Sequence, residues 1–497
     1  MPGSGLRFLV PDLDRLGAHV AERVYVAGYD QVPWPCRVRL RGTELVIERD
    51  VADSGRVFVP WSVNGHGELT LGTGTLMERP RPYQLAVELA RGKLNQVRNQ
   101  AADWQAMGLA IPAPFERRLH LAQQHFSQAA TRQDEPAEAA EHAQRAIVEA
   151  LEAGESLVSA YVEQSLAVRA RHSARLPTQL SVRLPARPTP QELQAKLAAS
   201  LHAANVGLVW RDVEAREGQY QWDVFDAQVA WCAEAGLRVH AGPLIQLDEL
   251  GVPDWLCLWE GDFENLSSFV IDYVETAVNR YRGKVDLWHA AARVNVARNP
   301  KLSEEDCLRL TARAIEAANR VDPQTPLVVR FDQPWAEYMS RSGHELSPLH
   351  FADALVRAGT NVGGFGLELN LGYYPSGTWL RDRLELSRLI DLWSLLGLPL
   401  HVFLTLPADD APDPQARRKS QPLPARGAAA WNARTQAEWV EAVYALLLAK
   451  PYVHSITWNQ LSDSEPHELP HAGLIDAAGR ARPALGVLTR LKRDVLA

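Results

Sequence analysis

Cysteine is scarce in this chain of 497 residues: only Cys36, Cys232, Cys257 and Cys307 occur, widely and irregularly spaced. That excludes a disulfide framework and a CxxC metal pair and fits a reducing compartment. Long apolar runs are missing as well. The stretch around Tyr444 to Ala449 falls far short of the ~18–20 residues of a membrane span, so no membrane partner is expected. The start, Met1-Pro2-Gly3-Ser4-Gly5-Leu6-Arg7, lacks the charged segment and apolar core of about 7–15 residues that mark a secretory leader, which points to a cytoplasmic protein. Basic residues are in deficit, with 52 Lys plus Arg against 60 Asp plus Glu and a net charge of -8, and no basic stripe offsets it. Nucleic acid is therefore not an expected partner. No glycine-rich phosphate loop, dinucleotide fingerprint or HExxH spacing occurs, so neither a cofactor nor a metal is expected.

What is present is a globular composition, 46% hydrophobic and 23% charged, long enough for two to four domains or one large barrel with attachments. Residues 1–82 alternate with period two through Arg37 to Arg41, Glu44 to Glu48, Val57 to Trp61 and Glu68 to Leu71, predicting a small antiparallel β module with one buried face. Tyr29, Trp34 and Trp61 allow a carbohydrate-binding sandwich or simply a core. Residues 83–176 change to a 3.6-residue period, with a stripe of Ala143, Ile147, Ala150, Leu151, Leu157 and Tyr161 and a helix start at Asp134-Glu135-Pro136. Two or three long helices packed on each other and on the following domain are expected.

From residue 177 to 497, short β-rich runs alternate with helical pattern. Eight candidate strands are Leu180 to Leu184, Val206 to Trp210, Arg238 to Pro243, Val285 to Ala291, Leu327 to Phe331, Gly364 to Leu369, Leu400 to Leu404 and Ser455 to Trp458. This is the arithmetic of an α/β fold of the (β/α)8 TIM-barrel type, with Pro407 to Ala430 as a long loop over the C-terminal mouth, where such barrels place their sites.

Several of these segments carry a resemblance. Trp210-Arg211-Asp212-Val213-Glu214-Ala215-Arg216-Glu217-Gly218-Gln219-Tyr220-Gln221-Trp222 resembles the second βα unit of glycoside hydrolase family 10, the (β/α)8 endo-xylanases. Arg280-Tyr281-Arg282-Gly283-Lys284-Val285-Asp286-Leu287-Trp288 resembles the entry to the fourth strand, Gly364 to Leu369 the sixth, Gly397 to Leu400 the entry to the seventh, and Leu461-Ser462-Asp463 with Gly473 to Ala484 the last unit. The resemblance spans about 200 to 490 and implies a barrel acting on glycans. It also implies two glutamates that are missing. The general-acid position falls on Arg293 and the nucleophile position on Leu404, and no Asp or Glu lies between Leu287 and Val296 or between Asp391 and Pro407. The family's sugar-binding Lys, His and Trp likewise fall near Val209, Gly242 and Gln246. Retaining hydrolysis needs two carboxyls ~5–5.5 Å apart, and an arginine cannot act as a general acid at neutral pH.

The strand ends nevertheless offer polar and aromatic groups suited to hydroxyl-rich ligands. Glu368 and Asp332, on adjacent strands, are the candidate relocated catalytic carboxylates; Glu368 reads equally as an ion-pair partner of Arg293. Arg293, His289, Asn370, Trp335, Trp458, Asn459, Gln460 and Asp463 are the candidate substrate-binding residues. Arg293 with Arg211 could form an anion clamp, and Trp255 with Trp259 could flank a substrate or lie on a buried helix face. The run Asp463 to His471 holds five potential metal ligands, but its prolines favour a polar loop tying down the eighth unit. Two functions follow: a glycosidase-like enzyme with relocated carboxylates, or a non-catalytic carbohydrate-binding relative.

Overall fold

The computed structural model describes residues 5–173, 175–297, 300–424 and 430–496. Eight parallel strands form the barrel: β1 (Gln179–Arg183), β2 (Ala203–Val206), β3 (Arg238–Ala241), β4 (Leu287–Ala292), β5 (Leu327–Asp332), β6 (Gly364–Asn370), β7 (Leu400–Thr405) and β8 (Val453–Trp458). Each pairs with the next, and β8 returns to β1 with Ile456 opposite Leu180, so the sheet closes and has no free edge. The expected (β/α)8 architecture is the one observed.

One strand is displaced from its expected place. The run Val206 to Trp210 reads as a strand, but β2 ends at Val206, and Trp210–Val213 is a single helical turn whose indole donates to Glu214 Oε2 at 2.7 Å. The apolar letters there record a buried loop. The true strand hides behind two alanines and Asn205, which turns inward to meet His289 at 2.9 Å.

Outward positions of the strands, such as Val182, Val329, Leu367, Val402, Leu404, Ile456 and Trp458, pack against the helices in one large core. The inward layers are polar, where branched apolar residues are usual, and the inward groups find partners across the lumen. Ser181 meets Thr457 at 2.6 Å, His401 meets Ser455 at 2.8 Å and His240 meets Gln179 at 3.1 Å. Burial pushes His240 down to about 4 and His401 to about 3, so both rings are neutral at pH 7. Gly366 leaves the space that Arg330 fills: a Cβ there would stand 2.6 Å from Arg330 Cγ and 2.9 Å from the Phe403 ring, over which the guanidinium lies at 3.9 Å.

Ahead of the barrel, two four-stranded sheets pack with three helices, α1 (Leu85–Ala106), α2 (Ala113–Thr131) and α3 (Pro136–His172). Pro136 occupies the first turn of α3, as its missing N–H allows. Sheet residues share one core with Ala139, Ala143, Ile147 and Leu151 of α3 and with Trp379 from the barrel. Trp61 belongs to that core and donates to Gln144 at 2.9 Å, Trp34 lies beneath Arg49, and Tyr29 is fully exposed. The sheets sit on the loops that follow β5 and β6. Arg341 donates to the carbonyls of Ala21 and Val24 at 2.9 Å each, Arg381 bridges Glu337 and the Tyr25 hydroxyl at 2.6 and 2.7 Å, and the Thr70 amide meets the Leu380 carbonyl. These contacts place the module on one side of the barrel mouth. Among the described residues no helix is long and apolar enough to cross a membrane.

Candidate functional site

At the C-terminal mouth, Arg293 follows β4 in a left-handed conformation, φ 58° and ψ 26°, a region that non-glycine residues seldom adopt. The turn aims the guanidinium into the barrel axis, where it is fully buried and meets three carboxylates. Nη1 stands 2.8 Å from Asp248, Nη2 is 2.5 Å from Glu468, and Nε donates to Glu368 at 3.0 Å. Glu368 is closed off on its other side by Arg330 at 2.7 Å and has no exposed surface. Arg418, from the loop after β7, reaches both Asp248 and Glu468, and Arg183 of β1 takes the second oxygen of Glu468 at 2.9 Å. Four arginines thus interleave with Asp248, Glu368 and Glu468.

Burial opposes the charges of Asp248, Glu368, Glu468, Arg293 and Arg330, and the neighbouring charges overcome it at all of them but Arg330. Asp248 lies at about 2 despite burial because Arg293 and Arg418 face it, and Glu368 and Glu468 also fall below the usual carboxylate range. Arg330 drops to about 10, burial outweighing Glu368. Asp332 goes the other way. It pairs in register with Glu368 across β5 and β6, has no ion pair among the described residues, and burial with the neighbouring Glu368 charge pushes it up to about 7 against the pull of Arg293.

The structure brings Glu368, Asp332 and Arg293 together but packs them beneath the surface rather than around the open cleft into which they were expected to project. Asn370 bridges Thr405 at 2.6 Å and Asp332 at 3.5 Å. Other expected ligand contacts lie elsewhere. Trp458 points outward, fully buried, and its indole donates to the Ala472 carbonyl at 2.7 Å. His289 sits lower in the lumen on Asn205. Gln460 and Asp463 fasten the last loop: Asp463 takes Arg482 at 2.5 Å and the Gly473 amide at 2.7 Å. Glu465 pairs with Arg187 and His467 with Asp413, and among the described residues no three ligands are placed to hold a metal. Arg211 is spent on Asp254 and the Glu249 carbonyl, far from forming a clamp with Arg293. Trp255 and Trp259 lie on a short helix and pack against Phe269. Trp335 lies over Arg381, facing the β module.

Sequence reasoning missed Arg330, Asp248, Glu468 and Arg418 as parts of this cluster. Arg330 was findable, since it shares the inward face with Asp332 two residues on, and a charge in a buried run demands a partner. Arg418 sits in a loop with no periodic signal. Inward at the end of β7 is Thr405, while Leu404 packs outward, so the described ends of β4 and β7 carry no carboxyl on either count.

Open space at the mouth remains between β1, β2 and β8, a recess of about 120 Å³. Arg183, Asp212, Arg417, Asn459 and Glu468 line it. Asp212 is raised by burial above its ordinary value.

The chain is similar to several solved structures. Over 66% of this chain and 95% of theirs, it superposes on xylanase 10B from Thermotoga petrophila RKU-1, solved with xylobiose, at 15% identity and a TM-score of 0.48. The corresponding figures for the family 10 enzyme of Paenibacillus barcinonensis are 67%, 98%, 17% and 0.49, and for the Thermobacillus composti xylanase 63%, 96%, 19% and 0.47. Residues 181–307 match the model of Glycosyl hydrolase family 10. That stretch, 127 of the 497 residues, runs from β1 through β4 of the closed eight-stranded barrel, and over it the chain is similar to glycosyl hydrolase family 10.

Proposed function

We propose that the chain binds a carbohydrate at the mouth of its barrel and does not cleave it by the two-carboxylate route. One observation carries this reading: Arg293, where the family resemblance requires a general acid, holds Glu368, Asp248 and Glu468 at once. A carboxylate clamped between two arginines with no exposed surface can neither attack an anomeric carbon nor give up a proton to a leaving group. The recess supports binding: Asn459 and Arg417 line it, and Asp212 supplies an acceptor for hydroxyls.

The test is affinity electrophoresis and reducing-end release with xylohexaose and cellohexaose among a panel of neutral oligosaccharides. Retention without release is expected, with retention lost in Asn459→Ala and Arg417→Ala. Absence of retention across the panel would sink the reading. A second reading, hydrolysis through the relocated pair Glu368 and Asp332, draws support from the raised Asp332, which resembles a carboxyl kept ready as an acid. It predicts release by the wild type that Glu368→Gln abolishes while affinity stays within about tenfold.

A further inference from the structure

A second opening lies away from the mouth, where the β module, α1 and the barrel helix α4 (Arg383–Ser394) meet. It is a groove of about 930 Å³ that continues into a polar extension of about 270 Å³, the two sharing Gln100, Asp103 and Arg388. Ligand sites favour such junctions, and the volume suits a molecule of drug or disaccharide size. Its apolar wall near the module is aromatic: Tyr25 and Phe58 stack at 4.7 Å, with Trp335 alongside.

The charges around it are unevenly satisfied. Lys93 holds Asp382 at 2.7 Å and Arg381 holds Glu337 at 2.6 Å. Two further cations, Arg56 and Arg388, share the single carboxylate of Glu385. Arg56 donates by Nε to the Thr73 carbonyl at 3.1 Å and lies over the Phe58 ring at 5.1 Å, and among the described residues Arg388 makes no hydrogen bond or ion pair. Both face the polar extension and stand near one carboxylate, Glu385, which also lines the groove, accepts from Gln96 and falls below its ordinary value against burial because Arg388 and Arg56 face it, so the three together leave one positive charge over. Burial and Arg388 both push Arg56 down, with Glu385 opposing. Asp103 stands exposed on the outer rim, which disfavours a ligand with negative charge along its whole length. Two guanidinium forks facing one opening match a single oxyanion, and the adjoining rings match a flat body.

We propose that this groove is a ligand site separate from the mouth, taking a small ring-bearing molecule with one carboxylate, held between Arg56 and Arg388 while its body lies against Tyr25, Phe58 and Trp335. It does not depend on the glycan reading of the mouth. A matched pair tests it on the full chain: calorimetric titration with 4-nitrophenyl β-D-glucuronide and 4-nitrophenyl β-D-glucoside, which differ at the sugar only in the carboxylate. The glucuronide should bind at least tenfold more tightly, and Arg388→Gln should erase that advantage while the glucoside binds the variant as it binds the wild type, which shows that the groove stays folded. Asn459→Ala, at the mouth, should leave it intact. Equal affinity for the two glycosides, or glucuronide binding untouched by Arg388→Gln, overturns the proposal. Displacement of the glucuronide by equimolar inorganic phosphate would show a bare oxyanion site and overturn the ring-bearing assignment.

Discussion

Replacing Arg293 by methionine is expected to lower the free energy of unfolding by about 3–5 kcal/mol, measured by urea denaturation at pH 7.5. The loss does not come from packing, since methionine fills much of the same volume. It comes from Asp248, Glu368 and Glu468, which the guanidinium contacts at 2.5 to 3.0 Å and which would remain buried without it. Arg418 and Arg330 compensate in part. The pH dependence identifies the cause. In the wild type these carboxylates lie below their unfolded values, so their contribution is present above the unfolded pKa and fades as pH falls. In the variant they rise above it, the folded state takes up protons first, and stability increases as pH falls. The deficit should therefore narrow from pH 8 to pH 5. A loss under about 1 kcal/mol would mean that Arg418 takes over the whole cluster.

The barrel was legible because its signals are repeated and local. Seven of its strands lie where alternating β-rich runs predict them, and the helix start at Pro136 follows from chain stereochemistry. β2 was misplaced because the strand that must admit an inward asparagine is built from small residues, while the buried loop after it is more hydrophobic. The mouth was legible only in part. That Arg293, Glu368 and Asp332 come together follows from their places at strand ends, but whether a charge at such a place meets solvent or another charge depends on loops. Asp248, Arg418 and Glu468 arrive from three separate loops, and no period in the sequence links them. Trp458 failed for a simpler reason: a residue at a strand end faces the helices or the lumen by the parity of its position, and an inward Asn459 makes Trp458 outward. The β module's place on the loops after β5 and β6 rests on Arg341 and Arg381, contacts more than 300 residues apart in sequence.

Asp332→Asn is expected to stabilise the protein by about 2 kcal/mol at pH 8 and to leave it unchanged at pH 4. Burial first, and the Glu368 charge after the opposing pull of Arg293, raise this carboxyl from 3.8 to about 7. A group raised in the folded state binds its proton there before it does in the unfolded chain, so between pH 4 and 7 the native protein holds more protons and stability falls as pH rises. A shift of that size acting alone would be worth about 4 kcal/mol; because Asp332 and Glu368 titrate together, about half is expected to appear on substituting one of them. Asparagine keeps the oxygen that accepts the Gln333 amide at 2.9 Å and removes only the charge. Unfolding free energies of both proteins across pH 4 to 8 should give two lines that meet at the acid end and diverge toward the alkaline end. Parallel lines would show that Asp332 is ionised throughout and that Arg293 reaches it more strongly than its burial resists. The same variant divides the two functional readings, because a buried acid used in catalysis loses turnover when its proton is made permanent as an amide, whereas a site that only binds keeps its glycan and becomes more stable.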